Sequence, residues 1–82
     1  MGITMETLKR WFQRGVEQEA THLIVVCDTF DWEDYPVYVT KEQNVHEVEE
    51  HYKNSSMQKV MEVYNLKMDM DTQMAEHRSW NY

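Results

Sequence analysis

The chain has one cysteine, one proline and two glycines in 82 residues, and its longest uninterrupted apolar run is only Leu23 to Cys27. A lone cysteine leaves no disulfide framework and suits a reducing compartment. Set inside LIVVC, Cys27 reads as a small buried hydrophobe rather than a nucleophile. So short an apolar run cannot span a bilayer, which takes about 20 residues. The opening MGITMETLKR lacks the apolar stretch of a secretory signal, and Met5 and Glu6 fit a myristoylation pattern at Gly2 poorly, so a cytoplasmic location is expected. Scarce Gly and Pro leave little room for disorder, and no repeat, linker or low-complexity segment is visible.

Basic side chains are also in short supply. Eight Lys and Arg stand against fifteen Asp and Glu, a formal net charge of −7. A field of that sign repels nucleic acid and anionic membranes and favours a cationic partner. The length predicts a single α+β domain over residues 1–82. A domain of this size buries only about 60 to 65% of its unfolded surface, so help from outside the core is expected. What the chain has in plenty is large adaptable side chains: seven Met, five Tyr and three Trp.

Thr4 can cap a first helix with Glu6 in its first turn, and Leu8, Trp11, Phe12 and Val16 form one apolar stripe. Gly15 fits a left-handed stop after Arg14. Lys9, Arg10 and Arg14 make the one basic patch, which as a solvated helix face needs no further role. Thr21 to Phe30 and Val37 to Thr40 read as strands joined by a hairpin turn. In the first strand Leu23, Val25 and Cys27 share one face, and His22, Ile24, Val26 and Asp28 the other. Both faces are apolar at the centre, which calls for cover on both sides. With only two strands evident, a lone hairpin is marginal, so hairpins from two or more subunits are expected to join or pack in a homo-oligomer.

Asn44 with Glu47 is a capping box that starts a helix with the stripe Val45, Val48 and Tyr52. Ser55 with Gln58 repeats the box, and Met57, Val60, Met61 and Tyr64 at i, i+3, i+4 and i+7 predict another helix. The β-branched residues of KVMEVYNL would also allow a strand. Asp69 or Asp71 caps a last short helix, TQMAEHRSW, with Met74 and Trp80 expected to dock on the core. The fold expected is therefore α+β: an N-terminal helix, an antiparallel hairpin, then two to three helices.

Asp28, Asp31, Glu33 and Asp34 crowd the hairpin turn. A calcium loop wants alternating ligands about a Gly, which is missing, so a metal site is not expected. Contact of Asp31, Glu33 and Asp34 with a cationic partner, anchored by Trp32 and Tyr35, is the better functional reading, against a plain solvated turn. His22, His46, His51 and His77 form no ligand motif, since His46 and His51 are not at i, i+4. His22 and Cys27 fall on opposite strand faces, which argues against a Cys–His nucleophile. No cofactor motif is present, and enzymatic chemistry is the least supported class.

The string ATHLIVVCDTFDWEDYPVYV, with VMEVYNLKMDM and the terminal EHRSW, resembles a family of small uncharacterised proteins of bacteriophages and bacterial genomes. No activity or site residue follows from that family. The resemblance implies a phage-encoded accessory protein, of a kind that often counters host defence by sequestering a nucleotide signal or covering a host protein. Two functions are therefore expected to compete. One is a ligand-sequestering oligomer with Trp11, Tyr38 and Trp80 for stacking and Arg10, Arg14 and Arg78 for phosphates, at interface pockets. The other is an acidic inhibitor or adaptor that covers a basic, nucleic-acid-binding host surface.

Overall fold

In the computed structural model, which describes residues 3–76 and 78–82, helix α1 (Met5–Glu17) begins where Thr4 Oγ1 accepts the Thr7 N–H at 3.1 Å. Leu8 and Phe12 are buried, Trp11 is half-buried, and Val16 turns out to solvent, so the stripe is narrower than its spacing predicts. Gly15 does not stop the helix. The left-handed residue is Glu19, at φ 61°, and the Glu19 and Ala20 N–H groups donate to the Val16 and Gly15 carbonyls in a Schellman closure. Gly15 is instead a point of close approach: a Cβ there would lie 2.7 Å from Leu66 Cδ1 and 3.0 Å from Tyr38 Cε1.

Strands β1 (His22–Asp28), β2 (Glu33–Val39) and β3 (Gln58–Asn65) form one antiparallel sheet in the order β2-β1-β3. Helix α2 (Val45–Lys53) is capped by Asn44, whose side chain accepts from the His46 and Glu47 N–H groups. Helix α3 (Met70–Ala75) is capped by Asp69, whose Oδ2 accepts from the Thr72 hydroxyl at 2.7 Å and the Thr72 N–H at 2.8 Å, bonds that hold the Asp69 carboxyl below its ordinary range, the hydroxyl's the more.

Residues 58–65 are thus a strand and not the expected helix, and Ser55 does not cap one; its Oγ donates to the His51 carbonyl at 2.7 Å. The physical reason is the central strand. Paired only with β2, β1 would leave a row of backbone groups unpaired, and β3 pairs with them from His22↔Asn65 to Asp28↔Gln58. The ladder carries an irregularity between Val25, opposite Glu62, and Val26, opposite Val60, which leaves Met61 over as a bulge.

The two faces of β1 are covered by the chain itself. Leu23 and Val25 pack with Leu8, Phe12, Tyr64, Leu66 and Met74 beneath α1 and α3. Ile24 and Val26 pack with Val39, Val45, Val60 and Val63, flanked by Val48 and Tyr52 of α2. The lone hairpin that called for a second subunit therefore does not exist, and the fold itself makes no demand for one. Among the described residues two helices follow the hairpin, the lower bound expected.

Beyond α3 the chain returns to the outer side of β3. The Val63 N–H donates to the Ser79 carbonyl at 2.8 Å and the Asn81 N–H to the Val63 carbonyl at 3.0 Å, a parallel bridge between Val63 and Trp80. Met74 is docked as expected. Trp80 is 42% exposed, and the bonds of this bridge are made by its neighbours Ser79 and Asn81. Buried Gln73 ties the corner: its amide accepts the Asn65 N–H and donates to the Asn65 carbonyl, both at 2.8 Å.

Candidate functional site

The β1–β2 turn spans residues 29–32, and the Phe30 N–H donates to Asp28 Oδ1 at 2.9 Å, an Asx turn. The Thr29 N–H donates to the Met57 carbonyl at 2.8 Å, which fastens the hairpin tip to the turn before β3. Two residues here, Trp32 at φ 57° and Met57 at φ 63°, hold a left-handed backbone without being glycine. That costs each about 1 kcal/mol or more. Both side chains face water, Trp32 at 59% and Met57 at 54% exposure, and Phe30 beside them reaches 72%. Asp31 and Glu33 are exposed on the same end of the sheet.

Of the expected contact residues the structure therefore brings Asp31, Trp32 and Glu33 together at the tip. Asp34 is only half-exposed and sits opposite Cys27. Tyr35 turns away into the second core layer, where its hydroxyl accepts from Gln58 Nε2 and its ring meets Tyr52 edge-on at 6.5 Å. Phe30 and Met57 complete the patch. Phe30 could have been found as an apolar residue inside a polar turn. Met57 is a neighbour only through the β1–β3 pairing.

The cation and aromatic set divides. Tyr38 on β2 donates its hydroxyl to the Trp11 carbonyl at 2.9 Å. Burial raises the Tyr38 pKa and nearby Arg14 partly opposes that, so Trp11, Arg14 and Tyr38 lie together where α1 crosses β2. Arg10 is paired with Glu6 at 3.4 Å. Arg78 and Trp80 lie on the segment beside β3, and the strand order puts them at the opposite edge of the sheet from Tyr38. One copy of the chain does not gather these six residues into a pocket.

Burial first, and the Asp34 carboxylate next, push the Cys27 thiol up, which is the reverse of activation. His22 lies on the opposite face of β1 from Cys27, and burial holds its pKa down. Tyr64 is pushed up by burial and by its hydrogen bond to Glu62. His46 stacks on Tyr82 at 4.3 Å, and Tyr82, whose hydroxyl donates to buried Glu49, is raised by burial and that carboxylate to about 12. His77 lies outside the described residues. Among the described residues no three His, Cys, Asp or Glu are placed to hold a metal ion, and no helix is long and apolar enough to cross a membrane.

No protein-family model, curated protein or solved structure matches this chain.

Proposed function

We propose that the protein is a non-catalytic acidic binding module whose hairpin end covers a basic, partly apolar surface of a partner protein. The observation that carries this is the juxtaposition of exposed Phe30, Trp32 and Met57 with exposed Asp31 and Glu33. Apolar side chains of that size, set out on a turn and rimmed by carboxylates, have the make-up of an interface centre with a charged rim. Trp32 and Met57 hold a left-handed backbone at a cost to stability, a kind of strain that clusters at functional sites. The net charge of −7 steers a cationic partner toward the molecule. A cytoplasmic, phage-encoded anti-defence factor covering a nucleic-acid-binding host surface is the setting in which such a module would act.

A second reading, nucleotide sequestration in a homo-oligomer, draws on the meeting of Trp11, Arg14 and Tyr38. Because Arg78 and Trp80 lie at the other edge of the sheet, they would have to come from a second copy. A random Lys/Phe copolymer and pure polylysine separate the readings when immobilised and titrated with the protein. Preference for the copolymer, weakening with salt and falling about tenfold in Trp32→Ala and severalfold in Asp31→Asn/Glu33→Gln, is expected. Equal binding by these variants removes the tip as the contact. A raised melting point with nucleotides in a multimeric sample would favour the second reading instead.

A further inference from the structure

β2 is paired on one side only among the described residues, and its other side meets a groove of about 510 Å³. Val37 and Tyr38, successive residues that point to opposite faces of the sheet, both line it. The groove therefore runs along the backbone edge of β2 itself. Its far wall is the flank of α2 and the loop before it, with Glu42, Glu47, Val48 and Tyr52.

The direction of the edge backbone follows from two residues. The Val39 carbonyl is turned inward, where it accepts the Thr21 N–H at 2.8 Å. Pro36, which has no N–H, stands opposite Val25 without interrupting the ladder, so its nitrogen faces out. Alternation then turns the N–H and carbonyl groups of Tyr38 toward the groove, and those of Asp34, with the Pro36 carbonyl between them, outward along the same edge beyond it.

We propose that this edge and groove take an extended basic segment of the partner, added to β2 as a fourth strand, with cationic side chains on Glu42 and Glu47 and apolar ones on Val37 and Val48. This is strand addition, in which backbone bonds supply affinity and alternate side chains supply choice. The proposal rests on the reading above only in taking the partner to be cationic. Charge decides the occupant. A second copy would bring the same Glu33, Glu42 and Glu47 and a second missing donor at Pro36 to one seam, whereas a Lys- or Arg-bearing strand meets opposite charge along its length.

The test uses an alternating Lys-Val peptide of about eight residues, the length of a common strand, and the same peptide N-methylated at alternate residues. It contains no aromatic anchor for the hairpin tip. Expected are amide shifts and slowed hydrogen exchange at Asp34 and Tyr38, at least about tenfold weaker binding of the N-methylated peptide, and about fivefold weaker binding to Glu42→Gln/Glu47→Gln. Equal affinity for the N-methylated peptide, shifts confined to residues 30–33, or a flat titration overturns the proposal, and the copolymer assay still decides the tip. Protection of Tyr38 without peptide, in a sample of dimer mass by light scattering, overturns it in favour of a second copy.

Discussion

One outer edge of the sheet is closed by the chain and the other is left open. Along β3, residues 79–81 return and bond to Val63, and Gln73 and Ser79 fix the corner from beneath. Along β2 no segment among the described residues returns, and Pro36 removes a donor from the middle of the exposed row. An open edge is an aggregation hazard, and a proline together with the acids Glu33 and Asp34 are ordinary ways to blunt one. The comparison teaches that the edges carry different loads: the closed one contributes to stability, and the open one is blunted while two outward amides, of Asp34 and Tyr38, stay unpaired.

The largest expected break is at the closed edge. Gln73→Leu leaves the half-buried Asn65 N–H and carbonyl without their partner, and unfolding by urea should show a loss of about 2 to 3 kcal/mol with the midpoint shifted and the slope kept. At the open edge Pro36→Val restores the missing donor. Stability should move by no more than about 1 kcal/mol, while light scattering should show more concentration-dependent association than for the unaltered chain. A monomeric Pro36→Val protein would mean that the acids alone blunt the edge.

The smallest effect is a pH slope at the closed side of the sheet. His22 faces Thr21, Tyr82, His46 of α2 and Lys67 beyond β3, and burial chiefly, opposed by the Tyr82 backbone and helped by His46 and Lys67, holds its pKa below the ordinary 6.5. The unfolded chain therefore takes up a proton first. The stability contributed by neutral His22 is full above pH 6.5 and is lost as pH falls from there through the lowered value. The melting point should drop between about pH 7 and 5, and the drop should be shallower in His22→Gln.

Much of the first half was legible because its signals are local. Thr4, the Leu8–Phe12 spacing, the alternation through LIVVC and the Asn44 cap each act within a turn or two of themselves. Residues 57–65 misled for a definite reason. The bulge at Met61 breaks strand alternation, so that Val60 and Val63 fall on one face and Met61 and Tyr64 on the other, each pair three apart as on a helix. Missing that strand is what made the hairpin look solitary and a homo-oligomer look necessary. At the tip, Trp32 and its acids were legible as an odd composition for a turn. Met57 was not, because it joins them through pairing between distant segments. Gln73 and Ser79 carry no local sign of burial; their partners are carbonyls and amides that any residue supplies.

The bulge also sets what the chain can lose. Val60 already faces Val26 and Glu62 already faces Val25, so excising Met61 alone would close the ladder into regular register with every other side chain still on its own face. Excising a residue at the middle of β1 or β2 would turn over everything beyond it. Position 61 is thus where β3 can change length without turning its other side chains over, at the cost of the Met61 packing on the first core layer.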